Sequence, residues 1–357
     1  MNSLLSKSYL QRFNQTILTR PDVDFWLHKA NPLWSFRHAL GKIVKKSTHG
    51  QNVCLTLRCN HLMQFGKAGQ HHPVMIEIAG RRYQRQYSLT QLDRHHVLLT
   101  AKKFPQGLVS SWLYDDSKIG EIVQFGTPYG EMQIDKNTPK VLMLAAGSGI
   151  TPLYSLLYDF AQQHRLKDHQ IDILYWQKHQ QDAVFLDELL AWQKQYPNLK
   201  VHTFFTQQSN DDKLAQRLNH THLDGFDLAQ TQVLACGAYG FIDTVETLAK
   251  NAKSLHTESF SLAPANIAQD PSDTVQVTLK KSGQILTVSA GQALLPALEQ
   301  ANIRPKFGCR MGICNHCSCH KVSGSTENVL DHSQNHEINQ ELRICVNRAT
   351  SDIVLDL

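Results

Sequence analysis

The sequence predicts a multidomain protein: an antiparallel β-barrel, an α/β domain built on a parallel sheet, and a small α+β domain around a cysteine loop. Three observations predict it. The chain has 357 residues, more than one ordinary domain of about 100–150 residues holds. Its apolar patterning changes twice: short alternating runs broken by Gly and Pro at 46–136, apolar runs alternating with helical stretches at 137–261, and β-rich runs with one helix at 274–357. Five of its eight cysteines fall within residues 309–345.

Composition narrows the function classes. With 41% hydrophobic and 19% charged residues, the chain can bury real cores, which excludes a disordered, collagenous or coiled-coil protein. There is no apolar run of about 18 residues to span a membrane and no apolar stretch near the start to act as a secretory signal. The expectation is a cytoplasmic protein with reduced thiols. Net charge is +5, from 36 Lys/Arg against 31 Asp/Glu, and residues 1–50 alone hold eight Lys/Arg against Asp22 and Asp24. The remainder is close to neutral, so no nucleic-acid partner is expected. The 19 histidines form no recognisable ligand set.

The first 45 residues read as a basic, aromatic extension. They contain Phe25-Trp26-Leu27-His28-Lys29 and Pro32-Leu33-Trp34-Ser35-Phe36-Arg37, followed by Lys42, Lys45 and Lys46. Packing against the barrel is one reading. Peripheral contact with a membrane is the other, because Trp and Phe settle at headgroup level while Lys and Arg meet anionic lipid. In the barrel segment, Arg85-Gln86-Tyr87-Ser88-Leu89 lies in a strand-like run, and Gly107-Leu108-Val109-Ser110-Ser111-Trp112-Leu113 reads as a turn entering a helix. Cys54 and Cys59 sit in an alternating run and read as structural.

The middle segment reads as strands at 141–145, 171–176, 201–205 and 233–236, with helices at 153–160, 185–195 and 241–250. That rhythm implies crossover connections. Ala146-Gly147-Ser148-Gly149-Ile150-Thr151-Pro152 joins the first strand to its helix, and backbone N–H groups at such a turn suit a pyrophosphate. Ligands collect at the carboxyl ends of such strands. Gly147–Pro152 and Cys236-Gly237 are therefore expected to face one site.

After a linker at 262–273, strands are expected at 274–279 and 285–289, a helix at 292–301 and a last strand at 353–357. Cys309-Arg-Met-Gly-Ile-Cys314-Asn-His-Cys317 with distant Cys345 has the C-x4-C-x2-C…C spacing of plant-type [2Fe–2S] centres. A loop wrapping three thiolates needs positive φ, for which Gly308 and Gly312 are placed, and Asn315 is among the best substitutes. Zinc competes through Cys314-x2-Cys317, yet four-cysteine zinc sites usually show two short pairs and Cys345 has no near partner. Cys319 reads as a small buried residue.

In their order, R-x-Y-S, G-x-x-S-x-W-L, G-S-G-I-T-P, C-G and the terminal cysteine cluster resemble the ferredoxin–NADP reductase superfamily with a C-terminal plant-type ferredoxin domain. The resemblance covers about residues 46–357. It implies a flavin-binding barrel, an NAD(P)-binding domain and electron flow from NAD(P)H through flavin and cluster. By resemblance, Arg85 would bind flavin phosphate, Tyr87 would pack on the ring and Ser88 would hydrogen-bond near its reactive nitrogen. Gly107, Val109 and Ser110 would cradle the pyrophosphate. Gly147, Gly149, Thr151 and Pro152 would shape the nucleotide site, with Cys236 and Gly237 beside the nicotinamide. His256-Thr257-Glu258-Ser259-Phe260 matches an H-x-E-x-F ending that would bring Phe260 to the flavin. Ala238 stands where Pro is frequent. Cys309, Cys314, Cys317 and Cys345 would hold the iron.

FAD is expected ahead of FMN, and NADPH ahead of NADH. No acid ends the strand before Gln177-Lys178 to bind a ribose 2′-hydroxyl, and Lys178 could meet a 2′-phosphate, although it also fits a solvated loop. A nicotinamide delivers two electrons together and the cluster takes one at a time, so the flavin has a task between them. The extension resembles that of reductases serving membrane-bound fatty-acyl desaturases, the favoured acceptor. A soluble aromatic or acyl-CoA oxygenase is the second. A zinc-stabilised binding protein and a redox sensor are readings of other classes.

Overall fold

The computed structural model describes residues 24–357 apart from 25, 28, 105–106, 208–216, 261–272, 309, 311 and 313–314. Most of the expected extension and the linker expected at 262–273, Asp273 excepted, lie outside the described residues.

Six strands close the barrel: β1 (Ala39–His49), β2 (Asn52–Cys59), β3 (His71–Ile78), β4 (Arg81–Gln91), β5 (His96–Lys102) and β6 (Ile122–Phe125), in the order β1-β2-β5-β4-β3-β6. Closure leaves no edge strand unpaired. Alternate residues such as Ile43, Leu55, Leu57, Val74, Leu99 and Val123 fill the interior, the period-2 pattern of a pleated strand. Gly50, at φ 53°, closes the tight hairpin in which His49 pairs with Asn52. The barrel begins at Ala39, inside the segment expected as an extension to residue 45. The charges of β1 hid this, because Leu40 and Ile43 are buried while Lys45 is exposed and the Lys46 ammonium donates to the Ser117 carbonyl at 2.8 Å.

The barrel unit ends at Glu131, and a second compact unit takes Gln84–Gln86 of β4 together with Met132–Leu357. Its first part is a parallel sheet of β7 (Lys140–Ala146), β8 (Gln170–Gln177), β9 (Leu199–Phe205), β10 (Thr231–Gly237) and β11 (Ser254–Ser259), ordered β11-β10-β7-β8-β9. Crossovers carry α1 (Ile150–Gln162), α2 (Leu186–Gln195) and α3 (Tyr239–Leu248). Every residue of β10 is buried, as a central parallel strand requires. The strand order reverses between β7 and β10, and a crevice opens at their carboxyl ends. β11 was not expected as a strand: it offers one large apolar residue, Leu255, and is ordered by its pairing with β10.

The last part carries β12 (Thr274–Leu279), β13 (Ile285–Ser289), α4 (Leu294–Gln300), β14 (Ser318–Ser323), β15 (Thr326–Asn328), β16 (Gln334–Asn335), β17 (Gln340–Arg343), β18 (Asn347–Ala349) and β19 (Ile353–Leu355). They form a five-stranded sheet, β13-β12-β19-β14-β17, and a small one, β16-β15-β18. α4 is shorter than the expected 292–301. Pro296 lies in its first turn, where a missing N–H removes no helical bond. Leu294, Leu295 and Leu298 bury its apolar face against Ile344 and Val346. Among the described residues, no helix is long and apolar enough to cross a membrane.

Candidate functional site

In the barrel, Arg85, Tyr87 and Ser88 lie on β4. The Arg85 guanidinium donates to the Gln84 carbonyl at 2.7 Å, and Tyr87 is half-buried. Ser88 is buried, and its hydroxyl shares a 2.9 Å hydrogen bond with Nδ1 of His71 on β3. His71 was missed although β3 and β4 form one hairpin through Ala79-Gly80, whose left-handed backbone (φ 48° and 73°) makes the turn, because only the hairpin register sets it opposite Ser88. Its backbone exchanges two bonds with Tyr129, of 2.8 and 2.9 Å. Gly107 opens the helical turn Leu108–Ser111, which continues as a π-turn over Trp112–Asp116. The Ser110 hydroxyl donates back to the Gly107 carbonyl at 3.1 Å and accepts from the Phe104 N–H at 3.2 Å. A β-carbon at Gly107 would lie 2.3 Å from that hydroxyl and 3.1 Å from the Phe104 β-carbon, so a side chain in this turn would displace the Ser110 hydroxyl from its two partners. Val109 is buried beneath it.

In the α/β part, the Gly-rich turn lies directly on the end of β10. A β-carbon on Gly149 would fall 1.9 Å from the Cys236 carbonyl oxygen, and one on Gly237 would fall 2.8 Å from the Phe241 ring. Gly147 holds φ 61°, a left-handed backbone that suits glycine. The Thr151 hydroxyl donates to the Ser148 carbonyl at 3.0 Å, and Pro152 is buried in the first turn of α1. No side chain caps the first amides of α1, so an anionic group is a suitable partner there. The Phe260 N–H donates to the Gly237 carbonyl at 2.9 Å, which brings Phe260 to the same crevice. Gly147, Gly149, Thr151, Pro152, Cys236, Gly237 and Phe260 thus converge, while Lys178 stands exposed just past β8.

Two features of this crevice escaped sequence reasoning. Gln177 is buried at the end of β8, and its amide donates to the Tyr175 hydroxyl at 2.7 Å and the Gly147 carbonyl at 3.2 Å. Its Oε1 is buried with no hydrogen-bond partner among the described residues. The signal was available in principle, since the end of β8 must abut the turn that follows its neighbour β7. Cys236 is fully buried, and burial first, then the charge of Glu258, push its thiol well above the ordinary value. It therefore stays a neutral thiol, a packing group rather than a nucleophile.

Around the cysteine loop, the buried thiols of Cys317 and Cys345 stand 3.1 Å apart although 28 positions separate them. Cys309 and Cys314 lie outside the described residues. Gly312 at φ 75° and Asn315 at φ 56° take left-handed backbone as expected, but Gly308 does not, and Arg310 carries φ 62° instead. Arg310 is held there by a bidentate pair with Glu299 and by stacking on the Phe307 ring at 4.1 Å. Arg343 donates to the Gly312 carbonyl. Two converging buried thiols, served by a tight loop, fit a metal–sulfur centre. Cys319 is buried one strand position away from them, its thiol pushed up to about 12 chiefly by burial, and reads as structural. Cys59 is likewise pushed up to about 12 by burial.

Comparison with known proteins agrees with this division. The family model of an oxidoreductase FAD-binding domain matches residues 41–134, that of an oxidoreductase NAD-binding domain 143–247, and that of a 2Fe-2S iron-sulfur cluster binding domain 277–350. The chain is 31% identical over 351 residues to an NADPH oxidoreductase of Mycobacterium tuberculosis, covering 94% of this chain and 88% of that one. It is 26% identical to phthalate dioxygenase reductase of Burkholderia cepacia, covering 82% and 88%. Among solved structures, a phthalate dioxygenase reductase shares the fold at TM-score 0.63 and 23% identity, covering 90% of this chain and 98% of that one. An intact type IV self-sufficient cytochrome P450 monooxygenase does so at TM-score 0.58 and 22% identity, with 90% of this chain spanning 41% of that longer one.

Proposed function

Since this chain belongs to the ferredoxin–NADP reductase superfamily, as an NAD(P)H-dependent oxidoreductase with FAD-binding, NAD-binding and C-terminal [2Fe–2S] domains, we propose that it draws electrons from NADPH and supplies them to a membrane-bound fatty-acyl desaturase. When bound, FAD accepts a hydride and gives up electrons singly, and the [2Fe–2S] centre carries one at a time.

The chain's own residues position these groups. Arg85, Tyr87 and Ser88 would present charge, a ring face and a hydroxyl from one strand, and His71 orients that hydroxyl. Gly149 permits the phosphate turn to lie on β10, and Gln177 holds the Gly147 carbonyl in place. The neutral Cys236 thiol and Phe260 would wall the nicotinamide pocket without titrating. Cys309, Cys314, Cys317 and Cys345 would ligate the iron. NADPH preference is supported by the likeness to the NADPH oxidoreductase of Mycobacterium tuberculosis and by Lys178, which offers a point charge to a 2′-phosphate.

The observation that carries the acceptor is the aromatic face before the barrel. Asp24 accepts from the Ser35 hydroxyl at 3.0 Å and the Phe36 N–H at 2.7 Å. This corner turns Trp26, Trp34 and Phe36 outward at 65%, 52% and 67% exposure. A cleft of about 350 Å³ beside Trp34 is lined by Lys42 and Arg58. Aromatic rings next to cations suit an anionic bilayer surface. Truncation at residue 46 would cut β1, so the test is W26A/W34A/F36A in the full chain. Loss of co-sedimentation with phosphatidylserine vesicles and of desaturase turnover, with unchanged NADPH-driven menadione reduction, is expected. Unchanged vesicle binding and desaturation would refute the reading. The phthalate dioxygenase reductase relative favours a second reading, a soluble oxygenase acceptor, which predicts oxygenase turnover insensitive to the triple substitution.

A further inference from the structure

The cysteine loop sits in a stretch without acid. Residues 300–326 contain Arg304, Lys306, Arg310 and Lys321 with His316 and His320, and no Asp or Glu. Two of these are already engaged. Lys321 is buried and donates to Asn335. Arg310 is neutralised by Glu299. Exposure alternates through 303–307, so Arg304 and Lys306 point to the same, outer side immediately before the loop. His316 is exposed within the loop. From β17, exposed Arg343 reaches the loop through its bond to the Gly312 carbonyl. Among the described residues, no ion pair involves Arg304, Lys306 or Arg343. Two acids stand near this side. Glu341 on β17 lies 3.7 Å from the His320 ring. Asp331, its carboxyl held low first by the Ser333 hydroxyl, is near enough to Arg343 for that charge to add to the effect, which leaves Arg304 and Lys306 as the uncompensated pair. The exposed charge next to the thiols of Cys317 and Cys345 is therefore positive.

We propose that this rim is the docking face for the electron acceptor and that the acceptor meets it with an acidic protein surface. The inference rests on the reductase reading above and adds the chemistry of the partner. Electrons leaving the cluster require the acceptor's redox centre close to the loop, and Arg304 and Lys306, with Arg343 beside them, raise the local concentration of an anionic protein. Such steering accelerates encounter by about 10- to 1,000-fold and falls steeply with ionic strength. An anionic bilayer would also be attracted, but it would cover the exit it is meant to leave open. An acidic protein is therefore the favoured occupant.

The test uses the full holoprotein and R304E/K306E, substitutions at residues with no assigned flavin or nucleotide contact. Probes are cytochrome b5, an acidic haem protein, cytochrome c, a basic one, and menadione, an uncharged quinone reduced at the flavin. Raising salt from about 0.01 M to about 0.15 M shortens the Debye length from about 30 to about 8 Å. The wild-type rate with cytochrome b5 is expected to fall by about tenfold or more over that range. At low salt the variant should reduce cytochrome b5 at least about tenfold more slowly and cytochrome c faster, with menadione turnover and cluster absorbance unchanged. A cytochrome b5 rate indifferent to both salt and substitution overturns the docking face. So does a variant that loses phosphatidylserine-vesicle binding while keeping its cytochrome b5 rate, which would assign the rim to lipid. Absence of menadione turnover in the wild type would instead strike the reductase reading itself.

Discussion

Gly149→Ala probes the contact on which the nucleotide crevice depends. The added carbon would lie 1.9 Å from the Cys236 carbonyl oxygen, 2.4 Å from its carbonyl carbon and 2.8 Å from the Gly237 nitrogen. All three are backbone atoms of β10, which is fixed by pairing with β7 and β11 and cannot swing aside as a side chain would. Ordinary contact is about 3.5 Å, so the turn must lift by about 1.5 Å. A shift of about 1 Å in a positioning group costs about 100-fold in rate, equivalent to about 2.7 kcal/mol of barrier. Overpacking costs a further 1–3 kcal/mol or so of stability. Gly147→Ala is the control: nothing lies within 4 Å of its added carbon, leaving only left-handed strain of about 1–2 kcal/mol. Stopped-flow measurement of flavin reduction by NADPH, with flavin and iron contents determined in parallel, should show a loss of about 100-fold for Gly149→Ala and a much smaller one for Gly147→Ala. A Gly149→Ala enzyme within about twofold of wild type, in place of the loss of about 100-fold, would refute this account of the turn.

Cys345→Ser and Cys317→Ser should abolish or strongly alter the visible and paramagnetic signature of the cluster while NADPH still bleaches the flavin; Cys319→Ser should keep that signature. Lys178→Ala should raise the KM for NADPH by about tenfold, about 1.4 kcal/mol, and leave that for NADH unchanged; equal KM values for NADPH in mutant and wild type would remove Lys178 from the site. His72 is held near pKa 4 against an ordinary 6.5, first by burial and further by neighbouring His71, partly offset by the Gln64 carbonyl. Below pH 6.5 the unfolded chain takes up a proton that the folded one refuses, so stability should fall as pH drops from 6.5 towards 4 by about 3 kcal/mol. His72→Gln should flatten that part of the Tm profile.

Local patterns were legible in the sequence because they are set by neighbours along the chain. Alternation marked the barrel strands, continuous apolar runs marked β7, β8 and β10, and the Gly147–Pro152 turn and cysteine spacing marked their sites without help from folding. Even the left-handed positions at Gly312 and Asn315 followed from residue type. Where pairing rather than pattern decides, the sequence was silent. β11 is nearly all polar and exists as a strand because β10 offers it an edge. β1 reads as basic because its cations face outward or, at Lys46, find a carbonyl 71 positions away. His71 meets Ser88 through the register of the β3–β4 hairpin, 17 positions apart, Gln177 meets Gly147 through a parallel register 30 positions apart, and Arg310 takes the left-handed backbone expected of Gly308 because Glu299 and Phe307 hold its side chain. Residue types and spacings determined which chemistry the chain carries; the tertiary structure decided which groups stand within hydrogen-bond reach, because that depends on strand order and register, which no stretch of neighbouring residues encodes.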